Sequence, residues 1–298
     1  MDIIAQRWLI SRGFINTRTW GCYTNEIRKK QRPTWQELTL GSKIMAILSD
    51  LLFTAAFLIL LYILWQLYWT AVPAYYDQKE LVSRSEWDMP EDVTKAAQPL
   101  DYMPCDKING KASYERVWGV DWQKEYDLNW KEPTEIKSMI GRVYVPKFGA
   151  DFVHNLVQGT DKEIVLDRQG FGHYESTVMP GCVGNFAAAA HRDGYGAPLG
   201  DVEKIKVGDS LIVRTRHYWY VYSTTGYKIV QPEQGDVLLP VPGDSTAKPT
   251  KRLLTYTTCH PRWSMDQRYI LQGEFKYWAE VKSGVPQELL DVGLKLEN

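Results

Sequence analysis

Cys259, His191 and Arg268 are side chains whose types, if they share a site, can make a reactive thiol. A thiol supplies the nucleophile, an imidazole moves protons near neutral pH, and a guanidinium is a permanent cation. A thiol at its ordinary pKa of about 8.5 is only a few per cent ionised near neutrality, so it needs a positive neighbour. Cys259 follows the strand-like run LLTYTT and precedes His260 and Pro261. His191 ends NFAAAAH and opens the Gly-rich DGYGAPLG, while Arg268 heads RYILQGEF nine residues after Cys259. All three stand where a strand-like run meets a turn, which is where rigid scaffolds commonly mount reacting groups. By type alone such a trio recurs in many proteins. It becomes a site only if the fold brings three strand ends to one rim.

The elements able to do this begin near Ile140. GRVYVPKFG, KEIVLD, VGNFAAAAH, DSLIVRTR, YWYVYST, GYKIVQ, DVLLPVP, KRLLTYTT and YILQGEFKYWAEV have strand length, β-branched and aromatic enrichment, and Gly, Pro, Asp or Asn at their borders. Eight or nine short strands with no long helical period between them predict an all-β head, most economically a closed barrel without exposed edges. The run Ala187 to Ala190 is bracketed by Gly184 and Gly194 and reads as a buried strand whose small side chains admit close neighbours.

The N-terminal part reads differently. Leu51 to Ala71 carries no charge and, at 1.5 Å per residue, spans roughly 30 Å as a helix, the thickness of a bilayer's hydrocarbon core. Residues 1–43 hold eight basic and three acidic side chains, and Trp65, Tyr68 and Trp69 crowd the far end of the apolar run, so the positive-inside rule puts the N-terminus in the cytoplasm. The expected layout is a basic cytoplasmic tail over 1–43, an uncleaved transmembrane anchor over 44–72, an extracytoplasmic stalk over 73–138 and the barrel over 139–298. In the stalk, DQKELVSRSEWDMPEDVTKAAQ admits an amphipathic turn or two before its prolines interrupt, and Trp118, Trp122 and Trp130 are expected to dock it on the head.

Composition excludes other classes. The 298 residues carry 35 basic and 36 acidic side chains, a net charge of -1, which makes nucleic acid a poor partner. His154, His173, His217 and His260 lack metal-ligand spacing, C-x-x-C is absent, and no nucleotide-binding glycine motif or G-x-S-x-G occurs, so neither metal nor cofactor is expected. His260 reads as shaping a turn. Of the cysteines on the outer side, Cys105 and Cys182 are the pair considered for a disulfide, leaving Cys259 free.

The strings LTYTTCHP, QRYILQGEF and AAAHRDGYGAPLGDVEKIKVGD, with GRVYVPKFG and DVLLPVPG, resemble the sortases, and HRDGYGAP with TTCHP is most similar to the class E sortases of actinobacteria. The resemblance covers about 140–281. It implies an eight-stranded sortase-type β-barrel and a membrane-anchored cysteine transpeptidase of Gram-positive bacteria. Such an enzyme cuts a secreted protein between Thr and Gly of a C-terminal LAxTG- or LPxTG-like signal and joins it to a cell-wall precursor amine. By position it makes Cys259 the nucleophile, His191 the general acid and base, and Arg268 the oxyanion stabiliser, with Thr258 and Tyr174 lining the substrate groove. Tyr256 departs from the family's TLxTC pattern, in which Leu is usual. Two other readings stay open here: a pilin-polymerising sortase, and a non-catalytic membrane-tethered barrel that binds partners.

Overall fold

The computed structural model describes residues 35–83, 88–100, 107–108, 111–112, 138–294 and 296. Helix α1, Leu40–Leu64, is long and apolar enough to cross a membrane, with mean hydropathy 2.5 and no buried residue. A wider helical turn, Trp65–Trp69, and helix α2, Ala71–Ser83, continue it. Pro73, in the first turn of α2, has no N–H to return to Trp69, which accounts for the irregular turn at that point.

The barrel comprises β1 (Met139–Tyr144), β2 (Val153–Gln158), β3 (Gly170–His173), β4 (Gly184–Ala190), β5 (Ser210–Arg214), β6 (Tyr218–Val230), β7 (Arg252–His260) and β8 (Gln267–Glu280). Their order is β8-β6-β5-β1-β2-β3-β4-β7, with β7 pairing back onto β8 to close it. β2–β3 and β4–β7 are parallel, and the other pairs are antiparallel. The eight-stranded closed barrel expected from the sequence is present, though its strands are not all the expected ones. KEIVLD is instead a helical turn, Lys162–Leu166, because Asp161 caps it by accepting from the Ile164 N–H at 2.8 Å. DVLLPVP is a 3-10 turn followed by a bend, since Pro240 and Pro242 have no N–H for a ladder. VHNLVQ and GFGH take the places of these two, and YWYVYST and GYKIVQ fuse into β6.

The core alternates as strands require: Phe186, Ala188 and Ala190 of β4 join Leu156, Phe171, Leu211, Val213, Leu254, Tyr256 and Leu271. Tyr256, the departure from Leu, is fully buried with its ring 5.0 Å from that of Phe171. Its ladder partner is Ala188, so the alanine run leaves room for the larger ring. The Tyr256 hydroxyl finds no hydrogen-bond partner among the described residues, a cost of about 1–3 kcal/mol set against the ring's apolar burial. Cys182 is buried and disulfide-bonded. Its partner, the expected Cys105 and the stalk tryptophans lie outside the described residues.

The first part of the expected stalk packs on the barrel. Ala74, Gln78, Leu81 and Val82 recur on one face of α2: Ala74 is buried, and Leu81 and Val82 pack against Met139, Val157 and Val165. On the same face Asn155 Nδ2 donates to the Gln78 carbonyl at 3.0 Å. The apolar residues of this helix therefore gain more by covering the barrel wall than by facing water.

Candidate active site

The rim is assembled by ladder register. β4 runs parallel to β7 from Gly184 opposite Arg252 to Ala189 opposite Thr257, and the same offset carried two residues on brings His191 level with Cys259. On the other side of β7, Cys259 is the antiparallel partner of Arg268. The three candidate residues thus occupy one level across three neighbouring strands, with the thiol in the middle. Cys259 is free and half-buried.

Each flank has its own contacts. His191 Nε2 lies 2.6 Å from Asp167 Oδ1, and its ring stacks on Tyr195 at 5.1 Å. Arg268 Nη1 donates to the carbonyls of Met265 and Gln267 at 2.9 and 3.0 Å. A guanidinium has five donors, more than these two acceptors use.

The pleat decides which neighbours of the thiol share its face. Side chains alternate along β7, so Thr257 lies on the Cys259 face, whereas Thr258 is on the opposite face, buried, its hydroxyl without a hydrogen-bond partner among the described residues. Tyr174 covers the Cys259 face: its hydroxyl sits 2.8 Å from Thr257 Oγ1 and its N–H donates to the Ala187 carbonyl at 3.0 Å. Burial raises the Tyr174 pKa against the opposing effects of the Thr257 bond and the Arg268 charge, so the phenol is a neutral hydrogen-bonding group beside the thiol.

Three more residues tie the rim together, and the sequence reading singled out none of them. Buried Arg192 donates from Nη1 to the Cys259 carbonyl at 3.3 Å, pairs with Glu203 at 2.8 Å and lies over the Tyr269 ring. Asp193 accepts from the Trp263 N–H at 2.8 Å and from Arg262 Nε at 3.2 Å, which latches the loop after His191 to the turn after Cys259. The third is Asp167. The string HRDG was a usable signal for Arg192 and Asp193, since adjacent opposite charges beside a candidate base invite a search for partners. Asp167 gave none, because it ends a run that reads as a strand and its partner is 24 residues away.

Comparison with known proteins places the chain in a family. Residues 143–276 match the Sortase domain model. Sortase SrtE2 of Streptomyces coelicolor is 30% identical over 79% of this chain and 83% of its own length. Sortase SrtE1 of the same organism is 28% identical over 82% of this chain, which spans 60% of that longer relative. Among solved structures, the SrtA sortase from Actinomyces oris is 37% identical and superposes with a TM-score of 0.50, covering 53% of this chain and 90% of that one. The chain belongs to the sortase family, a family of cysteine transpeptidases. Its two Streptomyces relatives bear out the resemblance to the class E members.

Proposed function

We propose that this protein is a membrane-anchored transpeptidase that cleaves an LAxTG- or LPxTG-like sorting signal between Thr and Gly and transfers the Thr carbonyl to a cell-wall precursor amine. The observation that carries the reading is the register that sets Cys259 level with His191 on one side and Arg268 on the other. The Cys259 thiolate attacks the Thr carbonyl carbon, and the Arg268 guanidinium donates to the oxygen that becomes negative. As the C–N bond breaks, the His191 imidazolium gives its proton to the departing Gly amine, leaving a Cys259–Thr thioester. The acceptor amine then attacks the thioester, the neutral imidazole takes its proton, and the C–S bond breaks to return the thiolate. Tyr174, on the thiol's own face, lines the groove, and Thr258 supports it from the barrel side.

Helix α1 suits the anchor, with residues before it cytoplasmic and the barrel outside. The test is intact mass spectrometry of the full chain in detergent micelles with LAxTG and LPxTG peptides, with and without an added amine. A covalent adduct that converts to amine-capped peptide is the expected result, and the ratio between peptides ranks the signals. A folded sample whose Cys259 alkylates yet yields no adduct with either peptide overturns this substrate assignment.

A further inference from the structure

The geometry points to Asp167 as the positioning residue of His191, held in place by the helix that follows the apolar span. This inference rests on the reading of His191 as the general acid and base.

The Asp167 to His191 contact, at 2.6 Å, joins two side chains that are only 10% and 15% exposed, so water competes poorly for it. The carboxylate is held at both oxygens: Oδ1 faces His191 Nε2, and Oδ2 accepts from Lys162 Nζ at 3.0 Å. It therefore has one orientation to offer. The imidazole is confined from its face as well, by Tyr195, over whose ring the same Lys162 ammonium lies at 5.3 Å. With Nε2 committed as donor to a carboxylate, the tautomer is set and Nδ1 is left as the atom that exchanges a proton with substrate.

What fixes Asp167 lies outside the barrel. Its neighbour Arg168 pairs with Asp77 at 3.3 Å, and Gln169 Oε1 accepts from Asn155 Nδ2, which also donates to Gln78. On the far side of the ring, the Tyr195 N–H donates to Thr70 Oγ1 at 3.4 Å. Residues 70–78 thus grip both the turn bearing Asp167 and the loop bearing Tyr195. Gly170 makes the grip possible: it closes the Asp167 turn at φ +102°, and a Cβ there would lie 3.0 Å from that of His154.

The test uses the full chain in micelles, with Asp167→Ala, the isosteric Asp167→Asn and the conservative Asp167→Glu. The expected result for Asp167→Ala is a kcat lower by about ten- to a hundredfold, part of the roughly 10²–10⁴ that a placed acid–base group supplies, with KM within about twofold. Asp167→Glu should recover part of the loss. Nitrogen-15 imidazole spectra, with His191 assigned through His191→Asn, should show a single Nε2-protonated tautomer in the wild type and a mixture in Asp167→Ala. If that variant misfolds, Asp167→Asn, which keeps the shape, carries both readouts. Unchanged kcat and KM, or an unchanged imidazole signature, overturns the assignment. If the wild type transfers no peptide, it is the proposed function that fails, while the imidazole spectra still decide the role of Asp167.

Discussion

One flank of the thiol is set by main chain and the other by side chains. Cys259 and Arg268 are rungs of the β7–β8 ladder, and no side chain is needed to keep them opposite each other. His191 lies one residue past the end of β4 and depends on Asp167, Tyr195 and, behind them, Lys162, Asp77 and Thr70. The first construction survives the exchange of any one side chain without moving. The second can be undone by removing a single carboxylate. Substitutions on the ladder flank should therefore report chemistry alone, and those on the other flank should report placement.

The largest effect is expected at the thiol. Cys259→Ala leaves the ladder intact, so no covalent peptide adduct should form while the melting temperature stays near that of the wild type; an alanine variant that still acylates breaks the mechanism. Arg268→Lys should lose roughly 10²–10³ in kcat, the usual cost of an oxyanion donor, because a point charge replaces a planar fork. A near-normal rate would reduce Arg268 to a brace for the Met265 and Gln267 carbonyls.

Acid should loosen the side-chain flank first. His154 sits under the Asp167 turn, and burial, aided by the Arg142 charge, pushes its pKa down from 6.5 to about 4. Because the folded value is depressed for a base, the unfolded chain takes up the proton more readily. Stability is thus full above about pH 6.5 and falls as the pH drops toward 4, by about 2–3 kcal/mol at about 1.36 kcal/mol per pH unit. Urea unfolding at pH 7 and pH 4.5 measures this, and His154→Gln should flatten the difference; an equally steep loss in that variant would assign the acid sensitivity elsewhere. The smallest effect belongs to the brace. The Asp77 to Arg168 pair is 32% and 45% exposed and worth about 1 kcal/mol at most. Asp77→Asn should lower kcat less than about fivefold, within that energy. A loss exceeding that of Asp167→Ala would reverse the order of importance between brace and carboxylate.

The same division governs how much was legible beforehand. The barrel followed from periodicity and turn residues, whereas Cys259, His191 and Arg268, each at a border of a strand-like run, stood out as one site only through the resemblance to the sortases. KEIVLD misled because its apolar residues suit a strand, while the Asp161 cap that turns it helical is a single hydrogen bond. GFGH escaped notice because two glycines hide a strand from any propensity scale. Thr257 and Thr258 are the same residue type, and the alternation along β7 tells which one shares the face of the thiol. The surface that α2 covers could not be read from the sequence, because it is made by β1, β2 and the Lys162–Leu166 turn, which meet only after folding.

The parallel pairing of β4 with β7 has a further consequence for engineering. The connection between β6 and β7 returns to Arg252, at a level that its pairing with Gly184 of β4 sets. The connection over 231–251 departs next to Val230, the ladder partner of Arg268, and is largely exposed, with an anchor where Asn185 Nδ2 donates to the Val237 carbonyl. Grafts that recharge its exposed residues should reshape the surface beside Arg268 while the pairing of β4 with β7 keeps Cys259 and His191 level, which makes this connection a place to diversify a library.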